Sequence, residues 1–426
     1  MTPVATPGKA RGLERAGIPR SISWGYVGVL LFMIAVGLES SWLSPYLVGH
    51  GISVTVVAAV FTTYGFAVSI SAWFSGVLFE VLGARRTMLL AFVLFAVGSA
   101  IFIGIGIQAK TPWALFVGYA VKGFAYPLFS YSFLVWIAYR ANPDRLGAAY
   151  GWFWFAFSGG MSVVGAYGSE VLINLIGNVA LLWANIGIAA LGLIAMIVLN
   201  RDSMPPSGAR GKKAGRELSM LVTVIKEQPR LLLVIAIRIV NTLPQFAFPI
   251  FMPLYLRSLG FPTSQWLTIW GTVWLANIVF NLVAGYVGDI FGWKKIICIV
   301  GGIGGAVFTI AFFYTPALFG HNYVALMIAG LLLGAAVAGF VPMDAVVANY
   351  LPDSKGAAIS SMNFGAGLSS LVGPLIVAVV AVPLGYSGVA WILAALYVFV
   401  AITIWFVSPR QRAATDQQSL QLQGKD

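Results

Sequence analysis

Gly76-Val77-Leu78-Phe79-Glu80-Val81-Leu82-Gly83-Ala84-Arg85-Arg86 returns 209 positions later as Gly285-Tyr286-Val287-Gly288-Asp289-Ile290-Phe291-Gly292-Trp293-Lys294-Lys295, with glycine, acid, glycine and a basic pair in the same slots. Each copy follows one long apolar stretch and precedes another. The offset holds elsewhere. Pro143-Asp144-Arg145-Leu146-Gly147-Ala148-Ala149 aligns with Pro352-Asp353-Ser354-Lys355-Gly356-Ala357-Ala358, and Tyr46-Leu47 with Gly51 aligns with Tyr255-Leu256 and Gly260. Three separated matches at one offset mark an internal duplication, so the chain reads as two halves.

Composition sets the environment. Hydrophobic residues make up 60% of the 426 residues, charged residues 9%, and the mean hydropathy is +0.91; in a soluble domain about a quarter would be charged. Crossing roughly 30 Å of hydrocarbon takes about 20 apolar helical residues. Twelve stretches qualify, at 24–48, 54–79, 87–107, 112–139, 147–172, 178–199, 231–257, 265–288, 296–317, 322–349, 356–381 and 387–407. The expected fold is an all-α membrane protein with twelve transmembrane helices in two six-helix halves. Its parts are a cytoplasmic tail over 1–23, a bundle over 24–199, a cytoplasmic linker over 200–230, a bundle over 231–407 and a cytoplasmic tail over 408–426.

The net charge of +12 follows topology rather than a nucleic-acid surface. Of 25 basic residues, 21 fall in the tails, the linker and the loops that would share one side, while Lys110 and Arg257 fall on the other. By the positive-inside rule both termini are cytoplasmic, in a cell inner membrane. The basic run Arg210, Lys212, Lys213 and Arg216 anchors the linker near anionic lipid, and Glu217 to Arg230 has the spacing of a short surface helix. Residues 1–20 carry no apolar core, so no cleaved signal peptide is expected. The single cysteine, Cys298, excludes an intramolecular disulfide and reads as a core residue.

The glycines of the repeated loop allow a tight turn, and its acid can meet a helix N-terminus or a basic side chain. Gly76, Glu80, Gly83 and Arg85 in one copy, and Gly285, Asp289, Gly292 and Lys294 in the other, read as a cytoplasmic latch. The alternative is that Arg85, Arg86, Lys294 and Lys295 only hold topology.

The spacing Gly-x-Leu-x-acid-x-x-Gly-x-basic resembles the signature loop of the major facilitator superfamily, and twelve helices with a mid-chain linker resemble it over almost the whole chain. Val81 and Ala84 stand where that family usually has basic residues, which implies weaker charge interactions in the first loop. Four further stretches resemble the polyol permeases, the ribitol and arabinitol branch: Ser23-Trp24-Gly25-Tyr26-Val27-Gly28-Val29, Glu39-Ser40-Ser41-Trp42-Leu43-Ser44-Pro45-Tyr46-Leu47, Tyr126-Pro127-Leu128-Phe129-Ser130-Tyr131-Ser132-Phe133-Leu134-Val135-Trp136 and Gly151-Trp152-Phe153-Trp154-Phe155.

Four ionisable residues fall well inside predicted spans: Glu39, Lys122, Arg238 and Asp344. Each costs ~3 kcal/mol or more unless paired or hydrated. They lie on the first, fourth, seventh and tenth helices, which line the central cavity in the family resembled. At 1.5 Å per residue, Glu39 and Lys122 stand about 22 and 25 Å from the cytoplasmic ends of their helices, Arg238 and Asp344 about 10 and 8 Å. Level depth suggests two pairs, Glu39 with Lys122 and Arg238 with Asp344. Glu39, with Lys122, is the candidate proton-coupling group; a permanent packing pair is the alternative. Arg238 and Asp344 read as an inner gate or as part of the substrate site.

Arg238, Asn241 and Gln245 recur at i, i+3 and i+7, so one face of their helix is polar. With Asn277, Asn281, Asn363, Lys122, Tyr126 and Trp42 they form the candidate substrate site, since amides serve hydroxyl-rich solutes and rings pack on C–H edges. Asn277 and Asn281 fit interhelical packing equally well. No Walker loop, metal-ligand cluster or nucleophile with a histidine base is present, so neither an enzyme nor a cofactor or metal is expected. The resemblance implies a monomeric, proton-coupled carrier of a small molecule such as a pentitol. An organic-anion carrier, with Lys122 and Arg238 binding carboxylate, is the alternative within transport. A non-transporting sensor is less favoured because the linker and tail are short.

Overall fold

The computed structural model describes residues 12–14, 16–142, 145–200, 202, 231–341, 343 and 355–407. Backbone polar groups in hydrocarbon must be satisfied within the chain, and helices do so locally. The described residues are accordingly helical almost throughout, with no strand among them. Helix α1 runs over Ser23–Ser40 and, after a break at Ser41-Trp42, Leu43–Gly49. α2 is Val54–Leu82, and α3 is Ala84–Ala100 extended by a π-helical segment, Ile101–Gln108. α4 comprises Pro112–Gly123 and Ala125–Arg140, broken at Phe124. α5 runs from Leu146–Ser158 through the π-helical Gly159–Val164 to Gly165–Ile176, and α6 is Asn178–Ile194 closed by the π-helical Ala195–Leu199.

After the linker, α7 is Leu231–Ser258 and α8 is Thr263–Phe291. α9 joins Trp293–Ile296, Ile297–Gly304 and Gly305–Phe319, and α10 is Tyr323–Ala338. Lys355–Thr403 is a single element of 49 residues that turns at Gly385, where φ is 67°. Its limbs before and after that glycine are α11 and α12. Seven helices among the described residues are long and apolar enough to cross a membrane. The hydropathy stretches and the helices coincide in place; the sequence did not reveal the breaks in α1 and α4. The linker helix expected at Glu217 to Arg230, the Pro143-Asp144 and Pro352-Asp353 pairs and the C-terminal tail lie outside the described residues.

The duplication is legible in backbone conformation. Gly83 and Gly292, one per copy of the loop, end α2 and α8 at φ 79° and 99°, and Gly51 and Gly260 turn at φ 89° and 90°. These φ values suit glycine, so the repeated glycines specify repeated turns. Packing follows the same plan. α1 lies on α5 and α6, α2 on α4, α8 on α10, and α9 on α10 and α12. Among the described residues, the helices before residue 200 meet those from 231 onward chiefly through α2 on α11, α5 on α8, and the Leu43–Gly49 segment of α1 on α7. On the α2–α11 line a methyl group added to Gly65 would collide with the Ser370 carbonyl, so backbone meets backbone there. Phe66, Trp113, Val171, Leu175 and Val198 are more than half exposed, as a lipid-facing surface requires.

Gly83→Ala puts a side chain where φ is 79° and ψ is 165°, an arrangement close to glycine-only. It is expected to cost about 1–3 kcal/mol, read as a lowered melting temperature in detergent. Gly187→Ala, mid-helix in α6 with nothing within 4 Å of the added methyl, is expected to leave that temperature unchanged or raise it.

Candidate functional site

Glu39 sits two residues before the break in α1, and Lys122 two residues before Phe124, where α4 breaks. The two breaks stand at one depth. Lys122 Nζ donates to Glu39 Oε2 at 2.5 Å, and both residues are 2% exposed. Small residues make room for this: a methyl on Gly98 of α3 would lie 2.5 Å from the Lys122 backbone nitrogen, so α3 and α4 touch directly behind the lysine. The Phe95 ring centroid lies 4.5 Å from Lys122 Nζ, placing the ammonium against an aromatic face. Tyr64 of α2 and Tyr119 of α4 stack at 4.5 Å, and Phe102 stacks on Tyr119 at 4.9 Å. The pair is thus closed in by rings on one side.

Glu39 also lines a cavity of about 30 Å³, bounded by two of those rings, Tyr64 and Tyr119, with Ser40, Gln245 and Ser370 and with apolar Val36, Phe61, Met161, Phe246, Pro249 and Pro374. That is the space of about one water molecule. The lining joins α1, α2, α4 and α5 to α7 and α11, so it straddles the seam between the first six helices and the rest. Gln245 crosses it, its Nε2 donating to Ser162 Oγ at 2.9 Å. Glu39 and Gln245 are therefore the sequence-predicted residues that share a cavity.

The remaining candidates are placed as follows. Trp42 is buried and donates its indole N–H to the Leu38 carbonyl at 2.5 Å, with its ring 5.4 Å from Tyr46. Tyr126 is buried behind Tyr64, centroids 6.5 Å apart. Neither lines the cavity. Arg238 is half-buried: Nη1 donates to Asn241 Oδ1 at 3.4 Å, and the guanidinium lies 5.9 Å from the Trp154 ring. Its Nε is buried without a partner among the described residues. Asp344 lies outside the described residues, so the second pair is not described. Asn277 Nδ2 donates to the Gly334 carbonyl at 3.3 Å, tying α8 to α10, and Asn281 Nδ2 reaches Asn277 Oδ1 at 3.4 Å. Asn363 is half-buried beside Phe364, whose ring meets Trp73 of α2 at 4.6 Å.

In the repeated loops Arg85 and Arg86 are exposed, and Lys294 is half-buried. The side chains of Glu80 and Asp289, and the surroundings of Gly76, lie outside the described ones. A tie that sequence reasoning missed is present instead: Arg140, at the end of α4, pairs with Asp202, which also accepts from Trp136 Nε1 at 3.3 Å. The hydrogen bond to Asp202 raises the Arg140 guanidinium above its ordinary value.

Sequence reasoning also missed a polar ladder across the α5–α8 seam. Thr268 Oγ1 of α8 donates to Glu170 Oε2 of α5 at 2.6 Å, and Tyr167 Oη lies 2.8 Å from Thr272 Oγ1. Alongside, Ser44 Oγ donates to the Ile250 carbonyl at 2.6 Å, and Trp266 Nε1 to the Ser41 carbonyl at 2.8 Å. The spacing was readable, since 167 and 170 stand at i, i+3 and 268 and 272 at i, i+4; Glu170 simply fell at the margin of its predicted span.

Comparison with known proteins places this geometry in context. A family model described as "Major Facilitator Superfamily" matches residues 25–313 and 263–423. The chain is 43% identical to an alpha-ketoglutarate permease of Bacillus subtilis over 94% of this chain and 92% of that one. It is 35% identical to a D-arabinitol transporter of Klebsiella pneumoniae over 93% and 94%. A crystal structure of a D-xylose-proton symporter superimposes with a TM-score of 0.69 at 17% identity, covering 91% of this chain and 97% of that one, a likeness of fold.

Breaking the buried pair on one side leaves a lone charge, a loss of about 3–5 kcal/mol. Glu39→Gln and Lys122→Gln should each lower the melting temperature, and the double variant should regain most of the loss. A double variant no more stable than either single would show that the two groups do not neutralise one another.

Proposed function

The chain belongs to the major facilitator superfamily and is a multi-pass membrane transporter, not an enzyme; from that premise we propose that it is a proton-coupled uptake carrier of a polyol, such as a pentitol, working by alternating access. The observation that carries this reading is the lining of the central cavity. It presents the Glu39 carboxylate, the hydroxyls of Ser40, Tyr64, Tyr119 and Ser370 and the Gln245 amide, with no cation lining it among the described residues. A carboxylate substrate there would face Glu39. Once the cavity widens beyond the space of a single water, a neutral polyhydroxyl solute finds acceptors, donors and ring faces on this lining.

Coupling follows from the pair. Protonating Glu39 dissolves the ion pair and leaves Lys122 as an unneutralised buried ammonium, which hydrocarbon and protein both disfavour. Water reaching the site relieves that cost, so proton binding is linked to opening of the cavity. In this reading the bundles 24–199 and 231–407 rock about the site, with the linker between them and both termini cytoplasmic, as the distribution of basic residues supports. The Glu170–Thr268 and Tyr167–Thr272 bonds hold the outer seam shut, and the repeated loops act as latches on the inner side.

A second reading has its own observation. Arg238 is half-buried near the seam with Nε unpartnered among the described residues, and a relative at 43% identity is an alpha-ketoglutarate permease. Carboxylate binding at Arg238 would make the solute an organic anion.

Reconstituted protein separates the two. With a pentitol outside and a lumenal pH dye, proton entry should begin only on adding the solute and should vanish in Glu39→Gln, while Arg238→Gln retains solute-triggered proton entry. If only small carboxylates trigger it, the polyol reading is wrong. Opening of the outer seam gives an independent check: Thr268→Val, which removes the donor to Glu170, should raise labelling of a cysteine placed at Ser162 from outside by several-fold. Unchanged labelling would remove Glu170 from the outer closure.

A further inference from the structure

At their cytoplasmic ends α3 and α6 lie side by side, and between them is a groove of about 330 Å³ lined by Arg85, Arg86, Leu89, Leu193, Ile194, Ile197 and Val198. Its chemistry is two-part. Arg85 and Arg86 stand exposed at the mouth, in the first turn of α3. The walls are apolar: Leu89 lies one turn beyond the arginines, and Leu193 with Ile197 and Ile194 with Val198 form two i, i+4 rows on α6. Leu89, Ile194 and Val198 are 49%, 47% and 69% exposed, so the apolar walls are open to the bilayer rather than filled by protein. No acidic residue belongs to the lining among the described residues.

We propose that this groove is a binding site for one anionic glycerophospholipid of the cytoplasmic leaflet, its phosphodiester on the arginine pair and an acyl chain along the α6 rows. Charge complementarity fixes the headgroup: two guanidiniums bind a phosphate oxygen pair in the charge-assisted, forked geometry that arginine favours. The bilayer fixes the rest. Basic pockets between membrane helices on the cytoplasmic side hold anionic headgroups, and hydrocarbon contacts along Leu193, Ile197 and Val198 add a term that free phosphate lacks. The described residues lining the groove belong to α3 and α6 and none of them lines the cavity at Glu39, so lipid binding stands independently of the solute.

The test is native mass spectrometry of the full-length protein released from detergent with equal phosphatidylglycerol and phosphatidylcholine of identical acyl chains. Wild type should retain phosphatidylglycerol with a preference on the order of tenfold. Arg86→Gln should cut the preference several-fold, whereas Lys295→Gln, an exposed base at the start of α9, should leave it intact. Leu193→Trp with Ile197→Trp, filling the walls, should abolish retention at an unchanged melting temperature. Ile194→Trp, at a half-exposed position, reads the same wall should the double change lower that temperature. Millimolar inorganic phosphate should not displace the lipid. Equal retention of the two lipids, retention by a wall-filled variant, or displacement by phosphate would each overturn the site.

Discussion

Everything at the centre of this molecule depends on one buried ion pair. Glu39 and Lys122 are both 2% exposed and 2.5 Å apart, in a chain where a lone charge would cost several kcal/mol. The attraction between them offsets that cost only if both are held still, and the surroundings do so. Gly98 brings the backbone of α3 against that of α4 behind the lysine, and Phe95 covers its ammonium. Tyr64, Tyr119 and Phe102 stack into a wall beside it. Both helices break within two residues of the charged groups, which frees backbone groups near the pair and lets each helix change direction at that depth.

The duplicated architecture makes this centre one-sided. Gly51 and Gly260, and Gly83 and Gly292, adopt matching positive φ, so the turns were copied together with the residues that require them. The charges were not. Glu39 corresponds to Phe248 and Lys122 to Leu331. Phe248 is fully buried, and its ring packs on Phe251, Trp270 and Phe312 at 5.4 to 6.0 Å. One half presents an ion pair where the other presents an aromatic cluster, so the cavity between them takes its carboxylate from the first half and only neutral groups, Gln245 and Ser370 among them, from the second among the described residues.

How much of this was legible depends on whether a feature is local or relational. The pairing of Glu39 with Lys122 was readable because helix rise is fixed, so depth can be counted from the ends of each span and two opposite charges found level. The turn glycines were readable because their conformation belongs to single residues. Tyr64, Ser370 and Ser162 were not, since a tyrosine or serine in an apolar helix acquires meaning only from what lies across the seam. Trp42 was read as part of the substrate site because rings pack on C–H edges; its indole donates to the Leu38 carbonyl at the break, a feature invisible to periodicity. Asp344 lies outside the described residues.

The seams differ in the kind of bond that closes them, and the difference bears on which is suited to open. On the α2–α11 line Gly65 and Ser370 meet backbone to backbone, with Ser69 Oγ donating to the Gly367 carbonyl at 3.1 Å. Separating such a contact opens a void that side chains cannot fill. The α5–α8 line is held by side chains, Thr268 to Glu170 and Tyr167 to Thr272. The neutral bond contributes about 1 kcal/mol net and the one to the carboxylate about 1.5–3, small because water replaces each on separation. A seam of exchangeable side-chain bonds can therefore part and re-form at small cost, while the glycine contact keeps α2 and α11 in register. The α5–α8 ladder is thus the more exchangeable of the two lines and the α2–α11 contact the more rigid, and the cavity at Glu39 is lined from both α5 and α11.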